Sequence, residues 1–411
     1  MTRRRGYALL AALAAVVTLI SVGIFTMVRT PATTVSAGSS DSSGSSSGVS
    51  SGVPASGTWT GTWAAAPVGP EPGTPNGLPG STIRNVVHTS IGGSMARITL
   101  SNLFGTLPLK ITQASIAADG VLREVTFDRR GYVTIPAGGQ TISDAIRIPI
   151  PGDDDVTVSL YTPSPGGPVT YHPHARQISY VTTNGATVES PYWRYVTALD
   201  VHTRQARGAV VALGDSITDG ITSTTGANHR WTDGLAERLD GRYGVLNEGI
   251  SGNRVLLPGI GQSGLTRFDR DVLGRSGART VIIDLGVNDI LRLPHQLDAQ
   301  QITDGLRELA QRARARGLHV VGSTLTPFGG HPGVTPQLEA AREQVNATIR
   351  AGGIFDTVVD FDKALRDPYA PGRLLPRYDS GDHLHPSDAG YRAMAAVIDL
   401  GSLSRSAPAR A

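Results

Sequence analysis

The 411-residue chain contains no cysteine. That absence removes disulfides, thiolate metal ligands, a catalytic thiol and a lipoprotein-type acylated cysteine together. Any nucleophile must therefore be an oxygen or a nitrogen. Charge is also sparse: 17% of residues are Asp, Glu, Lys or Arg, and the formal net charge is +3, part of it in Arg3, Arg4 and Arg5. With no concentrated basic face, no nucleic-acid partner is expected. No internal repeat of solenoid length is present. The 39% hydrophobic content supports buried cores. The length exceeds what one compact core usually holds, so two folded units with extras are expected.

Long apolar runs are absent except for one, the uncharged stretch Tyr7 to Val28, which is long enough to cross a bilayer core as a helix. The arginines before it hold the N-terminus in the cytoplasm, so everything after Val28 is expected outside, in an extracellular or cell-surface location. Residues 1–29 read as a signal peptide or an N-terminal membrane anchor. Val35-Ser36-Ala37 offers small residues to a signal peptidase, whereas the run is longer than a typical signal core. Cleavage is the expectation, and a membrane tether through residues 7–28 is the other outcome. Residues 30–57 are Ser, Gly, Thr, Ala and Pro, whose ordering would cost entropy with no burial in return, so they read as a disordered linker. Residues 404–411 are expected to be a disordered tail.

Between 58 and 207 the pattern is short and β-like. The candidate strands are Ile83 to Ile91, Arg97 to Phe104, Lys110 to Ala117, Tyr132 to Ile135, Ala145 to Ile150, Val156 to Tyr161 and Gln177 to Thr182. Gly92-Gly93, Gly138-Gly139 and Pro151-Gly152 punctuate them. Such strands with Gly/Pro turns and no helical period predict an all-β sandwich or jelly-roll-like domain. From 208 to 403 the texture alternates. Gly208 to Leu213, Gly244 to Asn247, Thr280 to Leu285, His319 to Leu325 and Thr357 to Phe361 are apolar runs suited to parallel strands covered on both faces. Helical stretches separate them; in Gln301 to Arg316, Ile302, Leu306, Leu309 and Ala313 share one face and Gly317 follows as a stop. This predicts an α/β domain with a parallel sheet, whose ligands bind beyond the carboxyl ends of the strands.

Four loops at such positions carry chemistry. Gly214-Asp215-Ser216-Ile217-Thr218-Asp219-Gly220 presents Ser216 where the chain leaves a strand for a helix, so its hydroxyl can stand free and its N–H can meet a bound oxygen. It is not the Gly-x-Ser-x-Gly elbow, because Thr218 stands in place of the second glycine. A serine that merely caps a helix is the plain alternative. In Asn247-Glu248-Gly249-Ile250-Ser251-Gly252-Asn253, Gly252 allows close approach of backbone and an N–H donor to an oxyanion. In Gly286-Val287-Asn288-Asp289, Asn288 offers uncharged N–H donors, although Asn-Asp is also ordinary turn chemistry. In Asp382-His383-Leu384-His385-Pro386, Asp382 can fold back onto one nitrogen of His385 and leave the other to take a serine proton. A metal site from Asp382, His383 and His385 competes, but no further ligand cluster accompanies it and no metal is expected. Asp215, Asp219 and Asp289 read as structural, bonding loop N–H groups. Trp59 and Trp63 could stack on sugars, but a domain seam is favoured. His88, His172 and His174 are expected in solvent or hydrogen-bonding roles.

In order, Gly214-Asp215-Ser216, Gly252, Gly286-Val287-Asn288-Asp289 and Asp382-His383-Leu384-His385 resemble the four blocks of the SGNH, or GDSL, hydrolase family over about Gly208 to Leu403. The resemblance implies a flavodoxin-like three-layer sandwich with a five-stranded parallel sheet, and acyl-ester hydrolysis without a cofactor. It implies Ser216, His385 and Asp382 as catalytic groups, with Ser216, Gly252 and Asn288 forming the oxyanion hole. The runs Leu246 to Arg254 and Arg267 to Leu273 are similar to a secreted actinobacterial branch near rumen xylan-associated acylesterases, which tends to carry a β-domain beginning like Thr58-Trp59-Thr60-Gly61-Thr62-Trp63. The reaction is thereby narrowed and the ester is left open. An acetylated polysaccharide and a lipid both stand as substrates, and a non-catalytic carbohydrate-binding protein is the alternative from another class. Oligomeric state is left unassigned.

Overall fold

The computed structural model describes residues 57–404. The expected leader, all but the last residue of the expected linker and all but the first residue of the expected tail lie outside the described residues; that first residue, Ser404, closes a short 3-10 turn, Ser402–Ser404. Among the described residues no helix is long and apolar enough to cross a membrane.

The N-terminal half is all β, in two main antiparallel sheets. One runs in the order Thr58–Ala64, Val196–Thr203, Gly93–Ser101, Ile146–Ile150, with Gln140–Ile142 also pairing with Gly93–Ser101. The other runs Ala186–Ser190, Ser179–Thr183, Ser81–Thr89, Asp154–Thr162, Gln113–Ala118, Val121–Glu124. Through Ser81–Thr89, and from Val156 to the end of Asp154–Thr162, every second residue is buried, as a strand with one face on a core requires. Ile83, Val87, Val156, Val158 and Leu160 from this sheet share a core with Ile98, Leu100, Leu199 and Val201 from the first. Each such side chain contributes about 1.5–3 kcal/mol when fully buried.

Val196–Thr203 was not evident in the sequence. Seven of its eight residues are buried, because it serves two cores: Leu199 and Val201 face the sandwich, while Ala198, with Ala64, packs among Ala209, Val211 and Leu246 of the following region. Burial on both faces erases the alternation on which strand recognition depends.

The C-terminal half alternates strands and helices. In chain order these are β1 (Ala209–Gly214), α1 (Ser216–Asp219), α2 (Trp231–Leu239), β2 (Gly244–Gly249), α3 (Gly264–Phe268), β3 (Ala278–Asp284), α4 (Val287–Leu291), α5 (Ala299–Ala315), β4 (His319–Ser323), α6 (Pro336–Ala351), β5 (Thr357–Val359), α7 (Phe361–Leu365) and α8 (Asp388–Val397). The five strands are parallel, in the order β2-β1-β3-β4-β5. All six residues of β1 are buried, since helices cover both faces. On one, α5 and α6 place Ile302, Leu306, Leu309, Val345 and Ile349 against Val211, Ile283 and Val320. On the other, α2, α7 and α8 place Trp231, Leu235, Phe361, Tyr391 and Met394 against Val210, Ala212 and Ile282. Side-chain caps start α5 at Asp298 and α6 at Thr335, the latter with Pro336 in the first turn. This is the flavodoxin-like order, in which the chain moves from β1 out to β2 and then returns to β3, leaving a crevice at the carboxyl ends of β1 and β3.

The two halves cluster as one compact unit. Gly61 N–H donates to Ser276 O at 2.9 Å, and Val245 N–H to Ser90 Oγ at 2.9 Å. Arg97 bridges Asp200 and Ser276 at 3.0 Å each.

Candidate active site

Ser216 is the first residue of α1 and directly follows β1 and its cap, Asp215, whose Oδ1 accepts Ile217 N–H at 3.1 Å. The turn is tight. A Cβ at Gly214 would lie 2.1 Å from Thr218 Oγ1, and that hydroxyl is instead held at 2.8 Å by Asp284 Oδ2 at the end of β3. Burial, followed by the charge of Asp284, pushes Asp215 well above the usual carboxylate range. Ser216 is nearly buried, and its N–H, in the first helical turn, has no intrahelical acceptor.

His385 arrives from the loop before α8. Asp382 folds that loop: its Oδ1 accepts the N–H groups of Leu384 (3.0 Å) and His385 (2.8 Å), and its Oδ2 lies 2.6 Å from His385 Nδ1. The other ring nitrogen, Nε2, lies 2.8 Å from Ser216 Oγ. With Nδ1–H donated to a carboxylate, Nε2 carries the lone pair and accepts the serine hydroxyl proton. Partial burial alone would raise the Asp382 carboxyl, but hydrogen bonds from the His385 ring, His385 N–H and Leu384 N–H outweigh it and hold the group at about 2.

His383 points elsewhere. Its backbone is left-handed, with φ 63°, and its Nδ1 meets Asp379 Oδ2 at 2.6 Å. Each imidazole of the loop therefore has its own carboxylate, and among the described residues no group of three or more His, Asp and Glu side chains is arranged to hold a metal ion.

Gly252 and Asn288 come from the loops after β2 and β3. Gly252 has φ 78° and its N–H donates to no acceptor among the described residues. Asn288, on α4, is buried; among the described residues its Nδ2 makes no hydrogen bond of full geometry, but its side-chain amide faces the Asp215 carboxylate closely enough to lower it. Its Oδ1 accepts from Arg292 Nε at 3.2 Å, so the amide is turned with its N–H groups away from Arg292. Asp289 ties α4 to the Gly252 loop by accepting Val255 N–H (2.7 Å) and Leu256 N–H (3.0 Å). Burial pushes the Asp289 carboxyl up to about 6 against the pull of those two donors. Buried Arg267 locks the strand ends from below by donating to Gly214 O (2.9 Å), Glu248 O (2.7 Å) and Asn253 Oδ1 (3.1 Å).

Of the residues singled out in the sequence, Ser216, His385 and Asp382 form one hydrogen-bonded line, with the Gly252 and Asn288 loops anchored to each other beside it. Arg292 was missed, and its only signal is the i+4 spacing from Asn288 on a helix. Asp215 and Asp289 bond loop N–H groups, and so does Asp219, which also reaches His172. Trp63 is buried in edge contact with Trp193, with ring centroids 4.9 Å apart. Trp59 is half-buried under Arg97 and beside His202. His88 pairs with Asp153 and Asp155.

Residues 212–393 match the GDSL-like lipase/acylhydrolase family. No curated protein matches the chain. Among solved structures, the chain is similar to a GDSL-like lipase from Bacteroides thetaiotaomicron, with 21% identity, a TM-score of 0.37, and coverage of 49% of this chain and 91% of that one. It is also similar to a carbohydrate acetylesterase from Sinorhizobium meliloti, with 18% identity, a TM-score of 0.38, and coverage of 46% and 94%. The matched span, 182 of the 411 residues, contains Ser216, Gly252, Asn288, Asp382 and His385, so the region that carries the whole site is similar to the GDSL-like lipase/acylhydrolase family.

Proposed function

We propose that the chain is an extracytoplasmic serine carboxylic-ester hydrolase that works through an acyl-serine intermediate on esters of short acyl groups. The observation that carries this is the unbroken line Ser216 Oγ, His385 Nε2, His385 Nδ1, Asp382 Oδ2, with contacts of 2.8 and 2.6 Å. As Ser216 Oγ attacks the ester carbonyl, its proton passes to His385 Nε2, and Asp382 balances the imidazolium. Charge developing on the carbonyl oxygen meets three donors: Ser216 N–H and Gly252 N–H, which have no acceptor among the described residues, and the Asn288 side-chain amide beside Asp215. His385 returns the proton to the leaving alkoxide and then activates water to release the acid.

Gly252 lies hard against its neighbours, since a side chain's first carbon would come within 2.5 Å of Arg292 Nη2 and 2.9 Å of Ile260 Cδ1, so its backbone alone faces the site. The acetylesterase among the similar structures suggests carbohydrate esters as the natural class, and the resemblance to xylan-associated acylesterases points the same way. Arg3 to Arg5 ahead of Tyr7 to Val28 supports export, by a cleaved leader or a membrane tether. A second reading, a lipid acylhydrolase, is favoured by the exposed apolar side chains Leu257, Ile260, Leu293 and Leu297. The test is hydrolysis of aryl esters of graded chain length and of acetylated xylan. Activity falling steeply beyond short acyl chains supports the first reading, and a maximum at long chains supports the second. Full activity in Ser216→Ala overturns both.

A further inference from the structure

The loop that carries Gly252 is also held by the all-β half. Ile250, two residues before Gly252, packs with Ala66 and Val68 in a small apolar cluster of its own. Ser251 donates to Asp219 Oδ2 through N–H (3.0 Å) and through its hydroxyl (2.6 Å). The other carboxylate oxygen, Asp219 Oδ1, lies 3.0 Å from Nε2 of His172 in the all-β half, and His172 Nδ1 lies 2.9 Å from Ala66 O. Asp219 closes α1, the helix that Ser216 opens. Carboxylate and imidazole are 2% and 4% exposed.

This geometry fixes the protonation of His172. A backbone carbonyl only accepts, so Nδ1 must carry a hydrogen; a neutral ring would then turn the Nε2 lone pair toward a carboxylate. The arrangement therefore holds an imidazolium. The charged and titratable groups facing it are Asp219 on α1, His174 on its own loop and Arg230 at the cap of α2. The Trp193 ring lies 5.5 Å away. Burial and Arg230 oppose the positive charge, but Asp219 and the Ala66 carbonyl outweigh them, so the imidazole is raised above its ordinary value. Burial would likewise raise Asp219, but His172, His174 and Ser251 outweigh it and the carboxyl is lowered.

We propose that His172 is a positioning residue for ester hydrolysis, acting through Asp219 and Ser251 to fix the Gly252 N–H where the oxyanion forms. The all-β half is then part of the working active site. The inference rests on the serine-hydrolase reading above. Linkage sets its pH window. Because His172 is raised on folding, its contribution is complete below the ordinary histidine value and is lost as pH rises through the folded one. Because Asp219 is lowered, its contribution is complete above the ordinary carboxylate value and is lost as pH falls through the folded one.

The test is kinetics of the whole protein on a short-chain aryl ester across pH, with His172→Gln, Asp219→Asn, the double variant and Ser251→Ala. Displacing an oxyanion donor by a fraction of an ångström to an ångström lowers kcat by about 10- to 100-fold while KM changes little. His172→Gln should show that loss, should lack the alkaline decline in kcat expected of the wild type as His172 deprotonates, and should add nothing to Asp219→Asn. A folded His172→Gln protein with wild-type kcat, with loss in KM alone, or with loss additive to Asp219→Asn overturns the inference. If His172→Gln does not fold, Ser251→Ala decides, because it leaves the ion pair in place: reduced kcat supports the inference and unchanged kcat overturns it. Wild-type protein that neither hydrolyses esters nor reacts with a fluorophosphonate at Ser216 instead overturns the serine-hydrolase reading beneath it.

Discussion

Asn288→Ala separates transition-state stabilisation from folding. Asn288 Nδ2 is buried and its amide faces the Asp215 carboxylate, which keeps its bond from Ile217 N–H when the amide is removed. The bond that is lost joins Asn288 Oδ1 to exposed Arg292 at 3.2 Å, and its partner regains water, so the stability loss should be about 0.5–1.5 kcal/mol. The barrier should rise far more. Removing one oxyanion donor costs about 2.7–4 kcal/mol, or on the order of 10²–10³ in kcat. KM should change little, because the donor is engaged by the charge that develops in the transition state. Asn288→Asp keeps the shape but sets a second carboxylate near buried Asp215, whose carboxyl is already raised, so it should be at least as inactive. The assay is kcat and KM on an aryl acetate beside a urea unfolding curve for each protein. A folded Asn288→Ala enzyme that keeps kcat within about tenfold of wild type, a barrier change of about 1.4 kcal/mol, refutes the reasoning.

Asp382→Asn should lower kcat by about 10⁴-fold, since an amide can hold the wrong imidazole tautomer. The Asp382 carboxyl is held at about 2 against an ordinary 3.8, so the pair's stabilisation is complete above the ordinary value and is lost as pH falls through the folded one. The gap in thermal stability between wild type and Asp382→Asn should therefore close between those values; a gap that stays constant contradicts the assignment. Gly252→Ala should lose most of kcat, because φ is 78° and the added carbon would meet Arg292 and Ile260; a structure of the variant should show Arg292 displaced. Arg292→Ala should lower kcat by freeing the Asn288 amide, and Arg292→Lys, which can still donate to Oδ1, should restore part of it; equal loss in both contradicts the orienting role.

Legibility in the sequence followed from how local each signal was. The parallel strands were visible as short apolar runs, and their ends marked the loops of Ser216, Gly252 and Asn288. Asp382 and His385 were readable as a pair because three residues of one loop bring the carboxylate back to the ring. What stayed hidden depended on distant contacts. Val196–Thr203 lost its alternation by facing two cores. His172 reaches Asp219 across 47 positions of sequence, and no spacing rule connects them. Asp219 itself was readable only as a loop acceptor, because the residue that gives it a counter-charge lies in the other half of the chain.

The most direct measurement is peptide mapping by mass spectrometry after reaction of the whole protein with a fluorophosphonate. One label per chain on the peptide containing Ser216, absent in Ser216→Ala and strongly slowed in His385→Ala, is the predicted result. Ester hydrolysis that persists while Ser216 stays unlabelled would contradict it.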